Sequence, residues 1–314
     1  MYVDKFNRKI KYVRLSITDR CNFRCIYCMG ENTEFLPENA LLSLEEIEKL
    51  VKTLKDMKIE KIRITGGEPT IRTDIIEIAK VINKYYSGFS ITTNGAMLSN
   101  IVEDLKKYGL DSVNLSLDSL NEKNFLKITR RNMLKNTLEG LYKTLEIGVP
   151  VKLNTVVQKE NFDEIHDLIE FSAKLKIPIR FIELMPIGTE YNEDEFVKED
   201  EVKAKIQEKY TLEKIQKKFG YGPSNYYRIK ELNSYVGFIS AITHNFCSTC
   251  NKIRISSDGN IYPCLAFDYH VPIKDVINDE EKLKERIEFA ISKKPKQHFL
   301  TELRKKTPMH KMGG

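Results

Sequence analysis

Lys61-Ile62-Arg63-Ile64-Thr65-Gly66-Gly67-Glu68-Pro69 is the stretch on which the fold turns. Its first five residues read as a strand, the next four as a glycine-rich turn, and a helical pattern follows at Asp74-Tyr85. The same unit recurs on both sides. Candidate strands are Tyr12-Ile17, Lys61-Thr65, Phe89-Thr93, Ser112-Leu117, Val151-Val157 and Ile179-Leu184. The helix-like stretches Ser43-Met57, Asp74-Tyr85, Ser99-Lys107, Asn132-Ile147 and Asn161-Leu175 lie between them, and Ser43 with Glu46 forms a capping-box signature. Repeated strand-helix units predict an α/β fold around a parallel sheet, either open and doubly wound or rolled towards a barrel.

The strand ends separate these two. Polar or special residues close one strand after another, in Thr65-Gly66-Gly67-Glu68-Pro69, Thr92-Thr93-Asn94-Gly95, Asn114-Leu115-Ser116-Leu117-Asp118, Lys152-Leu153-Asn154 and Glu183-Leu184-Met185-Pro186. A barrel gathers all such ends at one mouth, whereas an open sheet concentrates its ligand at one switch point. Six units are fewer than the eight of a full barrel, so the expectation is a partial (β/α)6 TIM-type barrel whose gap admits a large substrate.

After Pro186 the pattern changes. The acidic run Glu190-Glu201 reads as a solvated connection into a helix around Val202-Lys209, and short strand-like pieces follow at Tyr226-Glu231, Tyr235-Ile239, Lys252-Ile255 and Asn260-Tyr262. Asp258-Gly259 is a hairpin signal that returns Cys264 towards Cys247 and Cys250. The division expected is a barrel core over residues 1–224 and a C-terminal region over 225–314.

At 41% hydrophobic and 31% charged, with no apolar run of membrane-spanning length, the composition is that of a soluble globular chain. Free cysteines and the lack of a long apolar N-terminal segment suggest the cytoplasm and no membrane partner. The net charge of +6 is modest for 314 residues, so nucleic acid is not demanded, and a basic pocket for a small anion would use the same excess locally.

The six cysteines carry the chemistry: Cys21, Cys25 and Cys28 form one group, and Cys247, Cys250 and Cys264 the other. Three thiolates are one short of the closed shell of a structural zinc site, and suit an iron-sulfur cluster with one iron open to a ligand. Disulfides are the bland reading, but a chain of this length builds a core without staples. Zinc held by the second group with His244 or His270 is another alternative, and it leaves the first group unexplained.

Cys21-Asn22-Phe23-Arg24-Cys25-Ile26-Tyr27-Cys28, followed by Gly66-Gly67-Glu68-Pro69, resembles the radical S-adenosylmethionine (SAM) superfamily. The second group, Cys247-Ser248-Thr249-Cys250-Asn251-Lys252-Ile253-Arg254, and the terminal Gly313-Gly314 narrow the resemblance to the GTP 3′,8-cyclase (MoaA) family of molybdenum cofactor biosynthesis, over Val13 to Gly314. It implies two 4Fe-4S clusters and SAM as cofactors. The first cluster would leave one iron for the amino and carboxylate groups of SAM, whose one-electron cleavage gives a 5′-deoxyadenosyl radical.

By the same resemblance, Tyr27 lies against the adenine, Gly67 and Glu68 hold the methionine amino end, and Ser116 and Asn154 reach the ribose and its surroundings. Arg180 pairs with the carboxylate and Met185 closes the adenine site. GTP would bind through its base to the open iron of the C-terminal cluster. Its triphosphate would be held by Arg14, Arg63, Lys152, Lys252 and Arg254, with Thr92 adding a hydroxyl and Lys61 a weaker candidate. Position 252 holds Lys where the family commonly has Arg, which keeps a charge and gives up a bidentate grip. Gly313 and Gly314 would form a side-chain-free finger reaching the reaction site. The implied partners are an external electron donor and the cyclic pyranopterin monophosphate synthase that takes the product.

Each of these has a plainer reading. Gly66-Gly67 can be an ordinary strand-to-helix turn, a strand Lys or Arg is usually solvated or ion-paired, and a terminal double glycine usually frays. The basic stretch Lys282 to Lys311 reads as a solvated helical face. Two other classes stay open: a peptide-modifying radical SAM enzyme, and a non-enzymatic iron-sulfur or zinc module that binds nucleic acid.

Overall fold

Val13 and Leu15 alternate with Arg14 and Ser16 on one strand, as Ile62 and Ile64 alternate with Arg63 and Thr65 on the next. Alternation of this kind sends aliphatic side chains to one face of a sheet and polar ones to the other. Here both faces are buried, the aliphatic one under helices and the polar one inside a curved sheet, so even Arg63 and Ser16 are hidden from solvent.

The computed structural model describes residues 2–188, 190–217, 219–300 and 307–313. The chain opens with a hairpin, β1 (Tyr2–Val3) and β2 (Lys9–Ile10). The strand-helix series follows as β3 (Tyr12–Ser16), α1 (Leu44–Asp56), β4 (Lys61–Thr65), α2 (Ile75–Tyr85), β5 (Phe89–Thr93), α3 (Val102–Lys107) and β6 (Leu110–Ser116). It continues with α4 (Glu122–Thr129), α5 (Leu134–Glu146), β7 (Val151–Val157), α6 (Ile165–Lys174), β8 (Ile179–Glu183) and α7 (Glu199–Gln207). The C-terminal part supplies β9 (Leu212–Lys214), β10 (Asn225–Ile229), β11 (Ser234–Ile239), β12 (Lys252–Ile255), β13 (Asn260–Tyr262), β14 (Val271–Pro272), α8 (Glu280–Ser292) and α9 (Met309–Met312).

Among the described residues the main sheet has twelve strands, in the order β14-β13-β12-β3-β4-β5-β6-β7-β8-β11-β10-β9. The six expected strands form its centre, all parallel. The C-terminal part extends the sheet at both edges, β12 pairing parallel with β3 and β11 parallel with β8. Eight consecutive strands therefore run the same way, and the wall stays open between the antiparallel edge strands β14 and β9. The partial barrel is borne out, with one more parallel strand on each side than the six units predict.

Helix α1 shows how the wall is built. Glu46 N–H donates to Ser43 Oγ at 3.2 Å and Ser43 N–H donates to Glu46 Oε2 at 2.8 Å, completing the expected capping box. Ile47, Leu50, Val51 and Leu54 are fully buried on its inner face, each contributing about 1.5–3 kcal/mol by leaving water. Ser43→Ala removes the cap at a cost of about 1 kcal/mol.

Helix α4, which sequence periodicity does not announce, is capped by Asn121 and ends at Arg130 in the left-handed region (φ 56°). Its last carbonyls do more than end a helix: Ile128 and Thr129 accept from the Ile26 and Arg24 N–H groups and fix the loop of the first three cysteines. The basic C-terminal stretch also departs from the solvated face expected. Leu283, Ile287, Ala290 and Ile291 of α8 are buried, and so are Lys294 and His310 beyond it.

Candidate active site

Gly66 and Gly67 leave β4 and pass directly beneath the chain that leads to Cys21. Gly67 N–H donates to the Thr18 carbonyl and Glu68 N–H to the Arg20 carbonyl, both at 2.8 Å. A Cβ at Gly67 would stand 2.3 Å from the Arg20 carbonyl oxygen and 2.5 Å from that of Asp19. No side chain fits there, so the double glycine does more than make a turn: it lets β4 support the cysteine loop. Within that loop, Cys28 N–H donates to the Cys25 carbonyl at 2.9 Å and Arg24 Nη1 to the Cys21 carbonyl at 2.6 Å.

All six cysteines are free, half-buried, and face one cavity of about 310 Å³ at the mouth of the barrel. Cys21, Cys25 and Cys28 border it with Tyr27, Gly67, Glu68, Ser116, Asn154, Arg180 and Met185. Cys247, Cys250 and Cys264 border it with Arg14, Arg63, Thr92, Lys252 and Arg254. The Asp258-Gly259 turn, with Gly259 at φ 78°, brings Cys264 back beside Cys250 as the sequence predicts.

The thiol chemistry fits a metal cluster. Burial pushes Cys21 and Cys28 up to about 12 and Cys25 well above the ordinary thiol value, so without a cation these sulfurs stay protonated at neutral pH. An iron core reverses that preference and releases their protons. The histidines of the zinc alternative are engaged elsewhere: His244 Nδ1 is 3.1 Å from Thr243 Oγ1, and His270 Nδ1 is 3.2 Å from the Asp268 carbonyl with its ring on Tyr262.

Glu68 is held by protein donors. Thr70 Oγ1, Thr93 Oγ1 and the N–H groups of Thr70 and Asn94 all donate to its carboxylate at 2.6–3.0 Å, and burial raises its pKa. Asp118 has no role in the sequence reading, yet it accepts from Tyr27 Oη at 2.7 Å and from Val156 N–H at 2.8 Å. Burial lifts its pKa to about 6, which keeps a carboxyl group tied to the aromatic ring beside Cys28.

The basic residues form a row. Register places Arg254 opposite Arg14 and Arg14 opposite Arg63, on three neighbouring strands, so their Cα atoms stand about 5 Å apart. Burial, then the neighbouring Arg254, holds Arg14 well below the ordinary arginine value, and burial brings Arg254 to about 10. Lys252, its ammonium over the rings of Tyr12 and Phe246, drops to about 7, chiefly through burial. Arg180 donates from Nε to Asn154 Oδ1 at 2.8 Å, and Arg63 Nη1 reaches Thr92 Oγ1 at 3.5 Å.

The carboxylates that line the cavity, Glu68 and Asp118, are engaged at the N-terminal cysteine end. Like charges side by side across a sheet repel, and a bound anion relieves that repulsion. The arrangement calls for a polyanion.

Two expected basic residues differ. Lys152 shares the inner face of β7 with Asn154 but lies outside the cavity lining, under the loop at Gly220, where burial and the charges of Arg180 and Arg63 bring it to about 8. Lys61, the weaker candidate, is ion-paired to Asp111. The C-terminal finger does approach the row: Arg254 Nη1 donates to the Gly313 carbonyl. Gly314 lies outside the described residues.

Residues 15–172 match the Radical SAM superfamily and residues 177–300 match Molybdenum Cofactor Synthesis C. A GTP 3′,8-cyclase of Marinobacter nauticus is 41% identical over 308 residues, covering 95% of this chain and 93% of the relative. One from Desulforamulus reducens is 39% identical over 325 residues, covering 99% of this chain and all of the relative. In fold, the chain is similar to Streptococcus suis SuiB bound to S-adenosylmethionine, with TM-score 0.62 and 19% identity, covering 86% of this chain and 65% of that one. It is likewise similar to anSMEcpe with bound AdoMet, with TM-score 0.59 and 16% identity over 86% of this chain and 80% of that one. From the paired cysteine triads to the family matches on either side of residue 175, the chain belongs to the GTP 3′,8-cyclase family of the radical SAM superfamily.

Proposed function

We propose that this protein is a radical SAM GTP 3′,8-cyclase that converts GTP to (8S)-3′,8-cyclo-7,8-dihydroguanosine 5′-triphosphate, the first step of molybdenum cofactor biosynthesis. The observation that carries it is the buried row Arg254, Arg14 and Arg63, which lines one cavity together with both cysteine triads. When bound, the N-terminal 4Fe-4S cluster and SAM supply the 5′-deoxyadenosyl radical that a ribose C3′–H requires.

The protein's own part is holding and screening. Cys21, Cys25 and Cys28 hold one cluster and Cys247, Cys250 and Cys264 the other. Tyr27, Gly67, Glu68, Ser116, Asn154, Arg180 and Met185 form the SAM subsite, with Asp118 fixing the Tyr27 ring. Arg14, Arg63, Lys252 and Arg254 take the triphosphate with Thr92, while Lys152 adds charge from beneath. Gly313 and Gly314 close the junction between the two ligands, where orientation decides which hydrogen is taken.

Residues 1–224 serve as the SAM core and 225–314 as the GTP region, and an external donor supplies the electron. The product passes to the cyclic pyranopterin monophosphate synthase. No helix among the described residues is long and apolar enough to cross a membrane, and a reducing cytoplasm suits six free thiols.

The test is anaerobic turnover of the reconstituted protein with SAM, a strong reductant and GTP, followed by chromatography and mass spectrometry. GTP-dependent release of 5′-deoxyadenosine with a cyclised product of unchanged mass relative to dihydro-GTP less two hydrogens is expected. Release without any cyclised GTP would remove the substrate assignment.

A further inference from the structure

Lys294 follows the C-terminal end of α8, in the run Lys293-Lys294-Pro295-Lys296, and it alone of these lysines is fully enclosed, with 3% of its surface exposed. Its ammonium donates to the Lys252 carbonyl at 2.8 Å and to the Pro263 carbonyl at 2.7 Å. Lys252 lies two residues after Cys250, and Pro263 immediately precedes Cys264. One side chain therefore ties together the two segments that carry Cys250 and Cys264.

The third cysteine is tied from the other end of the chain. Arg8 donates from Nη1 to the Cys247 carbonyl at 2.8 Å and the Lys296 carbonyl at 3.1 Å, and from Nη2 to the Pro295 carbonyl at 2.6 Å. Its Nε meets Asp4 at 2.5 Å. The strap Lys294–Lys296 is thus anchored to all three cysteine segments.

The two cations differ in one respect. Asp4 neutralises Arg8, whereas Lys294 has no carboxylate partner among the described residues.

We propose that Lys294 is a positioning residue for the C-terminal cluster: it fixes the separation of the Cys250 and Cys264 segments and places a buried, uncompensated positive charge beside the cluster, while Arg8 clamps the Cys247 segment without adding net charge. This rests on reading Cys247, Cys250 and Cys264 as cluster ligands. A fixed positive charge favours the reduced, more negative cluster, so its removal makes reduction harder. Outer partners of this kind also govern how firmly ligands are held.

The test uses the full chain carrying Cys25→Ala, so that only the C-terminal cluster is present, with an EPR-monitored redox titration and the rate of iron loss to a chelator. The parent should hold about four irons per chain; failure there sinks the cluster reading itself and is separate from this proposal. Lys294→Gln should shift the midpoint to a more negative potential and speed iron loss severalfold, while Lys294→Arg leaves the midpoint in place. Arg8→Gln combined with Asp4→Asn, which removes the pair without changing net charge, should speed iron loss with little change of midpoint. A Lys294→Gln midpoint and iron-loss rate equal to the parent's would overturn the proposal. Equal damage from Gln and Arg would do the same, because charge would then be irrelevant. Should the Gln variant not fold, the Arg variant decides alone: a folded chain with an unchanged midpoint supports the role, and loss of its iron ends it.

Discussion

Arg254 Nη1 donates to the Gly313 carbonyl, so the end of the described chain is fastened to the residue that heads the buried arginine row. The contact spans almost sixty positions of sequence and makes the tail part of the cavity wall. It also explains why glycine stands at 313. The residue has φ 72°, and a Cβ there would lie 2.4 Å from Thr65 Cγ2 and 3.3 Å from Ser16 Cβ.

Gly313→Ala should therefore displace the tail while sparing the barrel, whose strands it does not enter. Product formation is expected to fall by about 100-fold or more, as misplacement at a reaction site does. Iron content and GTP binding should stay near the parent's. Deleting Gly313 and Gly314 should act alike, and a peptide ending in Met-Gly-Gly, copied from Met312-Gly314, should restore part of the activity. Undiminished turnover in both variants would return the double glycine to a loose end.

Cys25→Ala removes one ligand from the triad beside Tyr27 and leaves the C-terminal set whole. Reductive release of 5′-deoxyadenosine from SAM should vanish, with about four irons retained per chain. Continued SAM cleavage would show that this triad is not the SAM site.

The proposed function puts base recognition at the other triad. GTP should bind more tightly than ATP although both carry the same triphosphate, because the base itself would meet the C-terminal cluster. Cys264→Ala should erase most of that preference and leave weak binding that salt abolishes, carried by the arginine row. Calorimetry at two ionic strengths checks both halves. Equal GTP and ATP affinities in the intact protein would count against a base contact.

How much of this was legible depended on whether a residue's role is local. Alternation in Lys61–Thr65 placed Arg63 on the polar face, and the same pattern placed Arg14, so parallel pairing brought the row together. Lys294 cannot be told from Lys293 or Lys296 in the sequence: nothing in three lysines and a proline says which ammonium turns inward, because that is decided by two carbonyls far away in sequence. Asp118 reads as a strand end, but its bond to Tyr27 crosses 91 positions. Helix α4 is short, and its value lies in the two carbonyls it offers the cysteine loop, a long-range service that periodicity does not report.

Lys152 gives the protein a measurable pH dependence. Burial, then the charges of Arg180 and Arg63, lowers its pKa to about 8, so in the free protein it loses its proton as pH rises through that value. The triphosphate favours the protonated form and raises the pKa on binding. With Lys252 replaced by Arg in every protein compared, so that its own low value of about 7 does not contribute, GTP affinity should therefore be flat below about pH 7 and decline from about pH 8 until the pKa of the bound form is reached. Lys152→Met should weaken GTP binding at pH 7 by about tenfold, equivalent to about 1.4 kcal/mol, and flatten this decline. Lys152→Arg should keep the affinity at pH 7 and also lose the decline, since a guanidinium stays charged throughout. Binding isotherms of the three proteins between pH 6.5 and pH 9.5, a range of about 3 units centred on the expected transition, separate these outcomes. An unchanged decline in Lys152→Met would move the titration to another group and take Lys152 out of the triphosphate field.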